Sequence, residues 1–342
     1  MNRFVRSFLV VALAGTFALT GCKKDEAPAG GEKAAEGAKA GGEMAAKPAP
    51  TPATADAAMK ALMEGIQNKK PQAAWDFLPA SYQKDVTTLV HEVGGKVDAE
   101  LYNKAFAVLN KALTLLKTKK EYILKSKLTA QALQNPMLPP GTIEKNWDGV
   151  VEIISIITTS ELAKAENLKT LDVGKFLSGT GAKLMDKGFE IAKAAGQDPT
   201  MALKGFQAEM VKTEGDKATV KLTPPGGGSP SEEQFVKVEG KWIPAEMADE
   251  WKQEIERMKG QLGAIPAQMA EAKPMAMPML TKVEETLDKL NAAKSQEEFD
   301  GALLGAVAAF GGPGAGAPPG AMPPPDGAMQ GDDMKAAEPA NP

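Results

Sequence analysis

The sequence predicts a helix-dominated α+β fold with one small antiparallel sheet, and three observations carry that expectation. Between residues 56 and 310, apolar side chains recur mostly at the three-to-four spacing of a helix face. Only over about 206–244 does the pattern become strict alternation, the period of a half-buried strand. The flanking stretches 23–55 and 311–342 are rich in Gly, Pro, Ala and charge, with too little apolar surface to offset the entropy of ordering. They are expected to be disordered.

Taken in order, Asp56 is placed to cap a helix carrying Met59, Leu62, Met63 and Ile66 on one side. Pro71 suits a first helical position and leads Ala73–Leu78 up to Pro79. Ser81 precedes Tyr82, Val86, Leu89, Val90 and Val93, which share one helical face, and Gly94-Gly95 is expected to end that helix. Asp98 opens the next, whose stripe runs Leu101, Ala105, Val108, Leu109, Ala112, Leu115 and Leu116. Residues Ile143–Thr158 hold Trp147, Val150, Val151, Ile153, Ile154, Ile156 and Ile157. Their β-branching suits a strand, but the length of the run favours a buried helix. Val173–Ala195 reads as a helix weakened by Gly174, Gly179, Gly181 and Gly188, each costing about 1 kcal/mol against alanine.

The strand region begins at Phe206, where Phe206, Ala208 and Met210 alternate with polar residues, as do Ala218, Val220 and Leu222. Glu214-Gly215-Asp216 is a turn signal between them, and Pro224–Pro230 is a loop. Gln234–Val238 and Lys241–Pro244 flank Glu239-Gly240, a two-residue hairpin loop with glycine where φ must be positive. Three or four antiparallel strands follow. Met247–Met258, Leu280–Leu290 and Glu297–Phe310 return to helical spacing, the last opened by the capping box Ser295-Gln-Glu-Glu298.

Composition removes several classes of function. The 342 residues include one cysteine and one histidine, so an internal disulfide, a cysteine-based metal cluster and any two-histidine site are excluded. A formal charge of −4 and a pI near 5.4 argue against a nucleic-acid partner.

The N-terminus carries an address. Residues 1–7 hold Arg3 and Arg6 and no acid; Phe8–Leu19 is apolar; Leu19-Thr20-Gly21-Cys22 follows. A basic start, a short apolar run and small residues before a cut form the layout of a secretory signal. The apolar run falls short of the ~20 residues that span a bilayer as a helix. Leu19-Thr20-Gly21-Cys22 resembles the lipobox of bacterial lipoproteins, and the chain's one cysteine stands where that motif needs its thiol. The resemblance implies a diacylglycerol on the Cys22 sulfur, cleavage before Cys22 and acylation of the new amine. Two or three chains anchor nearly permanently at ~0.8 kcal/mol per buried methylene. The alternative is an ordinary leader with an incidental thiol. Loss of residues 1–21 takes Arg3 and Arg6 and moves the formal charge from −4 to −6. Lys23-Lys24 after the cysteine, in place of Asp, implies an outer-membrane destination in a two-membrane bacterium.

The expected organisation is therefore a signal peptide over 1–21, lipidated Cys22 with a tether to residue 55, a folded domain over 56–310 and a tail over 311–342. As a flexible coil the tether spans about 30 Å. Gly215–Leu222 followed by Phe235–Ile243 resembles the strand–hairpin signature of exported NTF2-like domains. That resemblance implies a curved sheet packed on helices, with room for a cone-shaped pocket taking a small apolar ligand.

Candidate chemistry is sparse. His91-Glu92 begins like the zinc-protease helix motif, but Gly95 stands where the second histidine belongs. His91 is expected on a helix surface near its C-terminus, where positive charge is favourable. Gly179-Thr-Gly-Ala-Lys183 lacks the frame of a phosphate loop and suits a close helix crossing. The pairs Asp85/Glu92 and Asp249/Glu250 carry no sign of a cleft, and no Gly-x-Ser-x-Gly elbow exists. Met275-Ala-Met-Pro-Met279, with Met269 and Met258 nearby, could take Cu(I) through soft thioethers. The competing expectation is that these methionines fill gaps around Pro274 and Pro278 or face another helix. Trp75, Trp147, Trp242 and Trp251 are expected in the core. No cofactor is implied. The expected role is a non-catalytic one, binding or structural, in the envelope, held by acylated Cys22 and facing another envelope component; an NTF2-like pocket protein, then an exported enzyme or Cu(I) binder, are the other readings.

Overall fold

The computed structural model describes residues 51–129 and 142–310; the expected leader, Cys22, most of the expected tether and the expected C-terminal tail lie outside them. The helices are α1 (Ala55–Gln67), α2 (Gln72–Phe77), α3 (Ala80–Lys96), α4 (Ala99–Thr118), α5 (Lys120–Lys125) and α6 (Thr142–Thr158). Next come α7 (Ala165–Leu168), α8 (Val173–Phe176), α9 (Ala182–Ala194) and α10 (Pro199–Leu203). The sheet of β1 (Gln207–Glu214), β2 (Lys217–Thr223), β3 (Ser231–Val238) and β4 (Lys241–Pro244) precedes α11 (Ala245–Gly263), α12 (Ile265–Ala292) and α13 (Gln296–Ala309). The fold is the helix-rich α+β arrangement expected, with four strands in one antiparallel meander ordered β1-β2-β3-β4.

Both tight hairpins follow from their loop residues. Glu239 and Gly240 have φ of 49° and 79°, the double positive of a type I′ turn, whose twist matches that of the strands. Gly215, φ 61°, takes the first loop position between β1 and β2, where a type II′ turn needs glycine. A bulge at Val211 shifts the β1–β2 register between Met210 and Lys212.

Three cores result. In the first, Ala208, Ala218, Val220, Leu222, Phe235 and Trp242 on one sheet face meet Met59, Met63 and Ile66 of α1. Fully burying side chains such as Phe235 and Ile66 is worth roughly 1.5–3 kcal/mol each. The second lies beyond β4, where Ile243 packs with Tyr82, Val86 and Leu89 of α3 and Trp251 and Ile255 of α11. Strand β4 is thus covered on both sides, Trp242 facing one core and Ile243 the other. The third joins Val108, Leu113 and Leu115 of α4 with Trp147, Leu287, Leu290 and Phe299.

Helix α12 runs parallel to α4 and is zipped to it by charge. Lys273 pairs with Asp98 and Glu100, both at 2.8 Å. Further along, Glu284 takes Lys104 and also Lys111 (3.1 Å), and Lys111 reaches Asp288 at 2.6 Å. Asn291 and Ala293 meet the Lys111 carbonyl and the Lys119 ammonium near the other end. Helix α9 lies antiparallel to α6: Ile191 sits over Gly149, Lys187 over Glu152 and Thr180 by Glu161.

Several expectations need correction. Asp56 lies inside the first turn of α1, whose N-cap is Thr54. Pro71 stands just before α2 rather than in it. Gly94 and Gly95 do not end α3, which continues to Lys96. A Cβ on Gly94 would come within 2.7 Å of the Leu168 and Lys169 backbone, so Gly94 is there to let α7 approach. Helix α6 forms as expected, but Ile153, Ile154, Ile156 and Ile157 are half-buried and Val150 is exposed. The largest difference is α12, which starts at Ile265 and runs unbroken through Pro274 and Pro278. Those prolines, four apart, share the outer face, where water can satisfy the carbonyls they leave without donors, while the inner face stays clamped to α4.

Candidate functional site

Each candidate side chain has a definite local setting. His91 is half-buried on α3, and its Nε2 lies 3.0 Å from the Leu171 carbonyl, a contact in which the ring nitrogen donates. It lies near the C-terminal end of the helix, as expected, with its ring engaged by a neighbouring segment. Glu92 is paired with Lys96 at 2.9 Å, one turn along. Asp85 accepts the indole N–H of Trp251 at 2.9 Å, so Asp85 and Glu92 serve different partners. Asp249 and Glu250 are exposed neighbours on α11. Among the described residues, no three His, Cys, Asp or Glu side chains gather as a metal would need.

The stretch Gly179–Lys183 is not a loop. Leu177–Gly181 is one π-helical turn between α8 and α9, and its backbone is committed to the helix. Thr180 donates to Glu161 at 2.8 Å. No ring of amides opens toward a phosphate there.

Three of the four tryptophans are buried in the cores as expected, and Trp75 is half-buried against the second. Trp147 donates to the Leu116 carbonyl at 3.0 Å within the third core. Trp251 stacks on Tyr82 with centroids 4.0 Å apart and planes 4° from parallel. Burial pushes the Tyr82 phenol up, with the Glu239, Asp85 and Asp249 carboxylates adding to the effect. Glu239 also reaches from the β3–β4 hairpin to accept the Ser81 backbone N–H at 3.0 Å. It thereby caps α3, whose own N-cap residue Pro79 makes no side-chain bond. Ser81, through its hydroxyl and then its backbone N–H, holds the Glu239 carboxyl below its ordinary range. Sequence spacing had no means of showing a cap delivered from 158 residues away.

The junction with the expected tether is built firmly. Trp242 donates its indole N–H to the Ala53 carbonyl at 3.0 Å, and Ala55, the first residue of α1, is fully buried. The chain therefore enters the fold through the first core, at the strand shared with the second. Residues 53–55, assigned to the tether on composition, belong structurally to the domain. One face of the sheet packs against α1.

The methionines divide. Met258 is half-buried against the second core, and Met269 and Met277 are half-buried on α12. Met275 and Met279 project from the outer face of α12, 79% and 55% exposed, and do not fill the gaps expected of them. Cys22 lies outside the described residues.

No helix among the described residues is long and apolar enough to cross a membrane. No protein-family model, curated protein or solved structure matches this chain.

Proposed function

We propose that this protein is a bacterial envelope lipoprotein, anchored through acylated Cys22, whose folded domain has a non-catalytic binding or structural role. One observation carries the reading: Leu19-Thr20-Gly21-Cys22 ends a basic-then-apolar leader, and its cysteine is the only one in the chain. Two features of the fold support the role. The carboxylates and the histidine weighed as catalytic are engaged in holding helices or lie apart on the surface. The entry of the chain at Ala53–Ala55 is bonded into the core, as suits a domain held by its N-terminal end. Lys23-Lys24 after the cysteine favours the outer membrane in a two-membrane cell.

The test is covalent. Intact-mass analysis of the native product should show loss of residues 1–21 and the added mass of a diacylglycerol and an acyl chain. Cys22→Ser should move the protein from the detergent phase to the soluble fraction. An unprocessed leader, a bare thiol at Cys22, or a serine variant that still partitions with membrane each overturns the anchor. Crosslinking in intact envelopes, followed by capture of the lipidated protein, then identifies what the domain touches.

A further inference from the structure

Met275 and Met279 are large apolar side chains that packing leaves exposed side by side on one helix. A methionine at a helix surface usually turns its thioether onto a neighbour, yet these are 79% and 55% exposed. They stand one turn apart on α12, a spacing that puts Cβ atoms about 5–6 Å from each other. Flexible side chains from such positions can close both sulfurs on one ion. Glu271, also exposed, lies one further turn back on the same stripe and contributes negative charge.

We propose that Met275 and Met279 form a surface site for Cu(I), bound by two thioethers with Glu271 adding electrostatic attraction. Thioether sulfur is soft and uncharged, so it selects a soft monovalent ion over Zn(II), Mg(II) or Ca(II), which prefer imidazole, thiolate or oxygen. The platform is fixed: Lys273, two residues before Met275, is held against Asp98 and Glu100 of α4 at 2.8 Å. Its ammonium charge is thereby offset by two carboxylates and turned toward α4. Lys282, three residues beyond Met279, is the cation left on the outer face next to the pair.

The experiment uses the full-length Cys22→Ser protein in detergent, so that no thiol competes and the outcome does not depend on lipidation. Ag(I), a redox-inert stand-in for Cu(I), is titrated while the methionine ε-methyl groups are followed by NMR. Cu(I) is then tested without oxygen against a chromophoric chelator. The expected result is one saturable equivalent of Ag(I), with the Met275 and Met279 methyl resonances moving together and Cu(I) competing for the same signals. Met275→Leu or Met279→Leu, each close in volume and on an exposed face, should weaken binding about tenfold and leave the fold unchanged by circular dichroism. Lys282→Gln should tighten it. Met201→Leu, which removes another exposed methionine on α10, should change nothing. The proposal is overturned if the two methyl signals stay fixed, if Met322, Met329 and Met334 of the tail respond in their place, or if the double leucine variant binds as before.

Discussion

Replacing Gly94 by alanine, and separately its neighbour Gly95, should shift stability in opposite directions although both lie in α3. Alanine gains ~0.5–1 kcal/mol over glycine in a helix interior, so that term nearly cancels when the two variants are compared. What remains is steric. A Cβ on Gly94 would sit 2.7 Å from the Leu168 carbonyl carbon, the Leu168 Cβ and the Lys169 nitrogen, whereas one on Gly95 meets nothing within 4 Å. Reaching even the 3.4 Å edge of ordinary contact needs α7 to retreat by about 0.7 Å, and the obstacle is largely backbone. Overpacking of this kind costs ~1–3 kcal/mol. Gly95→Ala should therefore stabilise slightly, and Gly94→Ala should lose about 1–2 kcal/mol net of its helix gain. For a domain of this size each kcal/mol moves Tm by about 2–4 °C. Parallel thermal and urea unfolding followed by circular dichroism measures the difference. If Gly94→Ala rises with Gly95→Ala, the close crossing of α3 and α7 is wrong.

Phe299, 1% exposed in the third core, should cost ~3–5 kcal/mol on truncation to alanine, read as an earlier loss of Trp147 fluorescence in urea. Acid should loosen the α4–α12 seam: Lys104 and Lys111 hold Glu284 below its ordinary 4.5, and Lys273 holds Asp98 below 3.8. Groups with lowered values stabilise the fold above their unfolded values, and that stability disappears as pH falls through the folded ones. The urea midpoint should drop below about pH 4.5, less steeply in Glu284→Gln; equal slopes would remove the seam as the cause. Burial pushes the Tyr102 phenol up to about 12 from 10.0, so its contribution is intact below pH 10 and lost as pH rises toward 12. Absorbance at high pH should show a late-ionising phenol that Tyr102→Phe deletes. Limited proteolysis should trim the N-terminus only upstream of Ala53, where the bond from Trp242 begins.

What could be read in advance was whatever the chain decides locally. Asp98 caps α4 through the Leu101 N–H at 2.9 Å, as its position implied. Ser295 accepts the Glu298 N–H at 3.2 Å, while Glu298 reaches back to Lys294, one residue beyond the expected partner. Alternation marked the strands because one sheet face is solvated over β1 and β2. The failures share a cause. Gly94 reads as a stop from the sequence alone because its closeness to Leu168 is a tertiary fact. The expected helix begins only at Leu280, beyond both prolines, because the ion pairs that hold α12 together come from α4, about 175 residues earlier. The exposure of Met275 and Met279 was not legible, since periodicity alone does not say which neighbours a helix will have.

The seam between α4 and α12 bears on how a chain delivered N-terminus first can complete itself. The lysine that clasps Asp98 arrives 175 residues later, the glutamate that takes Lys104 arrives 180 later, and the indole that fastens Ala53 arrives 189 later. Until those late segments emerge, the apolar stripe of α4 is closed only in part, by Trp147 and Val151 of α6, and α1 meets the sheet residues only up to Phe235. A chain halted before residue 265 would therefore leave the side of α4 that α12 covers open to water and to other chains.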